Sequence, residues 1–548
     1  MTILTLNKKE LESKIGKITK ELEEKITSMG TPIEEVTENE VSVEIFPNRP
    51  DLLSLQNFAR AVNQFNRKKS IAKFNINKPE KNYSVKIEKS VKKVRPYTVC
   101  AIVKKLKFNE ERIKEIIDIQ EKLHNSIGRK RKKIAIGIYP LEKINLPIKF
   151  IAKNPEEIKF KPLESNKEIT GRQILRSHPA GRDYAHLLEK EELFPIFVDA
   201  KNKILSMPPI INSEETGRIT EKTNEIFIEC SGHNLPYLKK CLNIIISSLS
   251  EIGGEIYSMQ IDDPENGKSI SPEMEPEELE FRIEDIEKTL GIKLNEKEIK
   301  KHFERMGIGY LNKSKKSIAL VPAYRTDILH WIDLAEEVAI AYGYENFEPE
   351  IPKISTIAEE DQKEKTKRII SEILIGLGLI ETSSFHLTTK SNIKKMHFDY
   401  KGFIEVENSK TEKDTLRIDL LTGALQIFSE NSDSTYPQKI FEIGRVFLRD
   451  NSKETGIKEK EKLVIGLIDE QISFTEIKQI LDYLFKMLSL NYSIENTENT
   501  NFIIGRVGKI LVNKKEIGFI GEITPRVLKN WKIKKPVVAL EIDLDFLF

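Results

Sequence analysis

The chain predicts a multidomain α+β protein, on three observations. At 548 residues it is too long for one hydrophobic core. Helix-period and strand-period stretches alternate along its whole length. One strand–turn–helix pattern occurs twice, far apart, which marks a repeated unit embedded in a larger chain.

The elements follow in order. Residues 1–90 form a first unit and its linker. In it "KKELESKIGKITKELEEKITSMG" has helical apolar spacing, "EVSVEIF" alternates as a strand, and a second helix follows "PNRPD". The Lys- and Asn-rich "NRKKSIAKFNINKPEKNYSVKIEKS" reads as a linker or as edge strands. Residues 91–267 alternate strands ("VCAIVKKLKF", "KIAIGIY", "IFIECS") with helices and close on the helix "LPYLKKCLNIIISSLSEIGG". The run "DDPENGKSISPEMEPEE", rich in Pro, Gly and acids, marks a boundary. A compact unit spans 272–350, and a final region with α/β patterning spans 355–548.

The repeat relates "IFPNRPDLLSLQNFARAV" to "LVPAYRTDILHWIDLAEEVAIAY". With Asp51 set against Asp327, Asn57 falls opposite Asp333, Arg60 opposite Glu336 and Ala61 opposite Glu337. Both copies keep one Asp, so Asp51 and Asp327 read as N-caps of the helices that follow. The other three acids belong to the second copy alone. On a helix beginning near Asp327 they share one face at i, i+3 and i+4, where like charges repel and invite a cation. Two uses compete at that face: a divalent-metal site, for which Mg²⁺ takes one or two carboxylates and keeps waters, and a solvated acidic first turn favoured by the helix dipole. Arg325 is the nearby group suited to pair with an acid.

Composition narrows the classes. Hydrophobic residues make up 39% and charged residues 32%, as in a soluble globular protein. Lys+Arg and Asp+Glu total 88 and 86, so bulk charge points to no particular partner, although "GRKRKK" (Gly128 to Lys133) offers a local basic run for phosphates. Cys100, Cys230 and Cys241 have no metal-ligand spacing and suit a reducing compartment without disulfides. With no apolar run of membrane-spanning length and no leader pattern at its start, the chain is expected in the cytoplasm, away from membranes.

Five stretches, "EIFPNRPDLLSLQNFARAV", "LSMPPIINSEETGRITEKTNEIFIE", "VPAYRTDILHWIDLAEEVAIAYGYENF", "FEIGRVF" and "GFIGEITPRVL", together resemble the β subunit of phenylalanyl-tRNA synthetase, in the family's order and over nearly the whole chain. The lack of an insert after the first unit and the end at "VVALEIDLDFLF" resemble the shorter archaeal and eukaryotic form. The resemblance implies an α₂β₂ phenylalanine–tRNA ligase that acts on ATP and tRNA(Phe), with the aminoacylation site on the α subunit. It implies a last region like a class II synthetase antiparallel-sheet domain without catalysis; "TLRIDLLTGAL" offers Arg417, but no convincing second arginine motif follows. It implies a Mg²⁺ site at Asp327, Asp333, Glu336 and Glu337. It also implies that 91–267 is an editing domain hydrolysing Tyr-tRNA(Phe), with a pocket at Leu205, Ser206, Asn212, Ser213, Glu229 and Asn234. Such a second site has a motive, because a phenylalanine pocket rejects an added hydroxyl poorly. The chain departs from the family at Pro140 of "GIYPLEK", where an Asp is expected, and at "CSGHN", where a Thr-Gly-Thr-Asp-like end is expected. The competing classes are a stand-alone nucleic-acid-binding protein and a metal-dependent hydrolase centred on the acidic helix.

Overall fold

A computed structural model describes residues 2–67, 71–313 and 316–548. Residues 68–70 of the Lys- and Asn-rich stretch lie outside it. The chain divides into two compact units, 1–350 and 351–548. Among the described residues no helix is long and apolar enough to cross a membrane. All three cysteines are free and buried.

In the first unit the duplication extends well beyond the quoted motif. The first copy runs strand Thr2–Asn7, helices Lys8–Ile15 and Lys20–Ser28, strands Ile33–Val36 and Glu40–Ile45, then helix Leu55–Phe65. The second runs strand Glu277–Phe281, helices Ile283–Leu290 and Glu296–Arg305, strands Gly309–Lys313 and Lys316–Val321, then helix Trp331–Tyr342. In each copy the last strand is the middle one of a three-stranded antiparallel sheet. Sequence spacing and sheet order therefore repeat together.

Between the copies lies a mixed sheet of eleven strands. Its path runs Ile211–Asn212, Ile204–Met207, Phe194–Val198, Ile148–Lys153, Ser84–Ile87, Glu255–Asp263, Tyr97–Lys104, Ile226–Gly232, Ile134–Pro140. Ser84–Ile87, from the stretch expected to be linker or edge, is an interior strand, parallel to both neighbours. Val85 and Ile87 are buried on one face of the strand. The Pro- and Gly-rich run beginning at Asp262 carries a hairpin, in which Gly267–Ser271 folds back on Glu255–Asp263.

Helix Leu235–Ser250 is apolar nearly all round, so it is buried on several sides. One core joins Leu238, Leu242 and Ile245 of this helix to Phe58 and Val62 of the first copy and to Leu334 and Val338 of the second. Polar groups lock the same contact: Asn57 Nδ2 donates to the Ile244 carbonyl (3.1 Å), and Asn243 Nδ2 donates to the Ala323 carbonyl (3.1 Å).

The second unit is a seven-stranded sheet in the order Ile380–Glu381, Gln438–Arg449, Ile457–Ile468, Val537–Asp543, Lys515–Ile523, Phe502–Val512, Ser493–Asn496. Every pairing is antiparallel except the first. Residues alternate between its faces. Leu463, Ile465 and Leu467 pack under helices Gln362–Gly376 and Phe474–Met487, while Val464 and Ile468 pack under Leu421–Glu430 and Pro525–Asn530.

Candidate functional site

A cleft of about 1090 Å³ opens in the eleven-strand region, and its wall includes His124, Arg131, His178, Asn212 and Glu229. Sheet register builds its floor. Ser206 and Asn212 are directly opposed across the hairpin closed by Pro208-Pro209, so they share a face. Glu229 is opposite Gly137, and Tyr139, two residues on, points the same way. These two pairs converge. The Tyr139 hydroxyl lies 2.8 Å from Ser206 Oγ, 3.2 Å from Glu229 Oε1 and 3.5 Å from Asn212 Oδ1. Residue 137 must be glycine: a Cβ there would stand 2.1 Å from the Tyr139 hydroxyl and 2.6 Å from Glu229 Oε1.

Glu229 is 1% exposed, and its Oε2 has no hydrogen-bond partner among the described residues. Burial pushes its carboxyl up to about 8, against the lowering pull of Arg95 and of hydrogen bonds from Tyr139 and Ser231. Burial also lowers Arg95 to about 10; its Nε and Nη2 are held by the Ser231 hydroxyl (3.1 Å) and carbonyl (2.6 Å). The site thus holds a carboxyl that is mostly protonated at neutral pH with one oxygen unused.

The other expected pocket residues separate. Leu205 is fully buried in the core. Ser213 caps helix Glu214–Gly217, accepting from the Glu215 amide, and Asn234 caps Leu235–Ser250, accepting from the Tyr237 amide. Both act as turn chemistry. His124 donates no catalytic proton outward: its Nε2 accepts from the Ile136 amide (2.9 Å), its Nδ1 meets Glu121, and burial lowers its pKa. The basic run borders the cleft. Arg131 donates to the Ile210 carbonyl (3.0 Å) and to Glu121 (2.7 Å), while Arg129, Lys130 and Lys132 are exposed. Arg129, Lys130 and Arg131 hold left-handed φ angles of 47°, 52° and 64°, a costly turn for side chains with a Cβ. Tyr139 went unmarked in the sequence because "KIAIGIY" has the composition of an ordinary core strand.

The acidic stretch corrects the capping expectation. Helix Trp331–Tyr342 is capped by His330, and the matching helix of the first copy by Ser54, which accepts from the Asn57 amide. Asp51 and Asp327 lie three residues earlier and are engaged by arginines. Arg325 Nε and Nη2 donate to the two oxygens of Asp327 (2.8 and 2.7 Å), and Nη1 and Nη2 donate to those of Glu337 (3.1 and 2.8 Å). A fork that satisfies both carboxylate oxygens outcompetes a single amide. Burial raises the Asp327 carboxyl, but Arg325 and Arg49 more than offset it and hold it at about 2.

Asp333 Oδ2 accepts from the Leu329 and His330 amides (2.8 Å each) as the third residue of a capping box. Glu336 is exposed, and burial of part of its side chain together with the like charges of Glu337, Asp333 and Asp327 pushes it above the usual carboxylate range. Among the described residues no three His, Cys, Asp or Glu side chains stand ready to hold a metal ion. The oxygens left for a cation belong to Asp333 and Glu336.

In the second unit Arg417 is 5% exposed. It donates to Glu442 (2.5 Å), to the Ser384 hydroxyl (2.9 Å) and to the Arg445 carbonyl (2.7 Å). These bonds use its Nε and Nη1.

Three family models match: the B3/4 domain over residues 80–240, the tRNA synthetase B5 domain over 279–344, and the phenylalanyl tRNA synthetase beta chain CLM domain over 348–544. A phenylalanine–tRNA ligase beta subunit of Thermococcus sibiricus is 38% identical over 91% of this chain and 89% of its own length. One from Pyrococcus abyssi is 39% identical over 91% and 90%. One from Methanosarcina barkeri is 33% identical over 100% and 99%. A crystal structure of an N-terminal fragment of the Pyrococcus horikoshii phenylalanyl-tRNA synthetase beta subunit superposes with a TM-score of 0.59 at 34% identity, covering 62% of this chain and 99% of that one.

Proposed function

The chain belongs to the phenylalanine–tRNA ligase β-subunit family, and from that membership we propose that it serves as the β subunit of a cytoplasmic α₂β₂ ligase joining phenylalanine to tRNA(Phe) at the expense of ATP. Aminoacylation falls to the α subunit. The observation that supports this division is Arg417: it is buried, and its Nε and Nη1 are bonded to Arg445, Ser384 and Glu442, so much of its guanidinium serves the chain's own acceptors. The second unit is then a class II synthetase-like sheet kept for assembly. The purified chain alone should give no phenylalanine-dependent ATP–pyrophosphate exchange, and adding the α subunit should restore it. Exchange by the lone chain would refute the assignment.

The cleft is assigned to hydrolysis of Tyr-tRNA(Phe). Water adds to the ester carbonyl, the bond from that carbon to the ribose oxygen breaks, and tyrosine and free tRNA leave. Glu229 supports this reading, since its unpaired Oε2 at the floor suits a ligand hydroxyl and penalises a phenyl ring that lacks one. Arg129, Lys130 and Lys132, exposed on either side of the cleft-lining Arg131, suit the phosphates of the tRNA end. Glu229→Ala in the assembled complex should sharply slow Tyr-tRNA deacylation; an unchanged rate would remove the assignment.

For Mg²⁺ the donor set fits a largely hydrated ion on Asp333 and Glu336, because Asp327 and Glu337 are already neutralised by Arg325. Bound there, the ion would supply positive charge to an acidic helix front. Beside it Leu329 is 82% and Ile332 43% exposed, an apolar face suited to the α subunit. The ion's role is structural. A metal-dependent hydrolase at this helix is disfavoured, since two of its four carboxylates are spent on Arg325.

A further inference from the structure

We propose that Tyr139 is the positioning residue that turns Glu229 into a single-acceptor selector for a phenolic hydroxyl. The inference rests on the assignment of the cleft to tyrosyl-ester hydrolysis and names the residue on which its selectivity depends.

Tyr139 is fully buried and forms no part of the cleft wall, whereas Glu229 does. The phenol stands behind the carboxyl, over Gly137, with its ring stacked on Phe227 at 5.8 Å. A phenol has one proton to give. It is shared between Ser206 Oγ at 2.8 Å and Glu229 Oε1 at 3.2 Å, both of which accept it. On the carboxyl it reaches one oxygen only, Oε1.

That matters because the last torsion of a glutamate is broad and does not by itself choose which oxygen faces out. Tyr139 chooses. With Oε1 held inward, Oε2 is the oxygen left buried and without a partner on a residue that lines the cleft. A tyrosyl ring brings the hydroxyl that satisfies it, and a phenylalanyl ring leaves it unmet, at the cost of an unpaired buried polar atom. Without the inward anchor the carboxyl can rotate and satisfy itself on Ser206, and the contrast between the two rings shrinks.

The groups facing Glu229 are Arg95 from the turn before strand Tyr97–Lys104, Cys100 on that strand, Tyr139, Ser206 on the hairpin, and Cys230 and Ser231 on its own strand. Arg95 and the hydrogen bonds from Tyr139 and Ser231 favour the carboxylate; burial opposes it. Ionisation makes Oε2 the stronger acceptor, so selection of the hydroxyl should strengthen as pH rises through about 8. Removing the Tyr139 proton donor moves that rise to higher pH.

The test uses the full chain assembled with its α subunit, as wild type and as Tyr139→Phe. Hydrolysis of Tyr-tRNA(Phe) and Phe-tRNA(Phe) is followed from about pH 6 to about pH 9.5. In wild type the ratio of tyrosyl to phenylalanyl hydrolysis should climb through about pH 8. In Tyr139→Phe the ratio should fall about tenfold and its climb should move to higher pH, which a merely structural role would not produce. An unchanged ratio and midpoint would overturn the role of Tyr139 while leaving the cleft assignment standing. No preference in wild type at any pH would overturn both. Should Tyr139→Phe fail to fold, Ser206→Ala decides: it keeps Tyr139 and Glu229 but removes the acceptor that competes for the phenol proton, so the ratio should rise, and a ratio equal to or below wild type would sink the proposal.

Discussion

Arg49 Nε, from the first copy of the duplicated unit, lies 4.0 Å from Asp327 Oδ2, from the second. The two Arg-x-Asp turns thus meet face to face, and Thr326 Oγ1 donates to the Asn48 carbonyl (3.3 Å) at the same junction. The copies then diverge. Arg49 forks only onto Asp51 (2.9 Å twice), because Ala61 stands where the second copy has Glu337. Asn57 and Arg60 turn toward helix Leu235–Ser250, with Arg60 Nη1 3.6 Å from Glu251, whereas Glu336 faces solvent. Acids were added only to the copy whose helix front is open.

Arg325→Ala should destabilise the first unit by about 3 to 5 kcal/mol, since it strands the nearly buried Asp327 and Glu337 carboxylates. Denaturant unfolding of the wild-type and variant chains measures this directly.

Asp327→Asn should cost stability in a pH-dependent way. The folded carboxyl sits at about 2 against an ordinary 3.8, so its contribution is complete above about pH 4 and disappears as pH falls toward 2. Unfolding free energies of both proteins should converge across that window. A constant difference would show that charge is not the cause.

Glu229→Gln should stabilise the chain at neutral pH. A carboxyl raised from 4.5 to about 8 opposes folding increasingly as pH climbs from the first value to the second. The gain should be near zero at about pH 4 and about 3 kcal/mol at pH 7. Thermal melts across pH would reveal it.

Gly137→Ala should lower stability by about 1 to 3 kcal/mol by driving a Cβ into the Tyr139 hydroxyl and Glu229. The same substitution should also displace Glu229 and reduce Tyr-tRNA hydrolysis. A variant with wild-type melting behaviour would argue against the packing described.

Glu336→Gln and Asp333→Asn should both lower Mg²⁺ content and weaken association with the α subunit. Only Asp333→Asn should also cost about 1 kcal/mol in the isolated chain, because it alone caps the helix. Calorimetric titration and metal analysis of each variant separate the two effects.

Much of this was legible in the sequence. The duplicated Arg–x–Asp turn announced two copies of one unit, and their sheets repeat strand for strand. Turn residues proved to be turn residues: Ser213 and Asn234 cap helices, as their types favour. What stayed hidden depends on partners far along the chain. Tyr139 matters through the register that sets Gly137 against Glu229, and register is a property of two strands, not of either one. Asp327 looked like a cap because an Asp before a helix usually is one. Its removal from that role depends on Arg325 and on a helix that begins four residues later.

Ser84–Ile87 lies between Ile148–Lys153 and Glu255–Asp263, so neither of its sheet neighbours exists when it leaves the ribosome. At roughly 5–20 residues per second the second partner arrives roughly ten to thirty seconds later. During that interval an apolar strand with two open edges is exposed to solvent and to other nascent chains. The first copy is made earlier, and its own three-stranded sheet has all its strands by then. The large sheet must wait, and its middle strand is the segment most dependent on chaperone cover during synthesis.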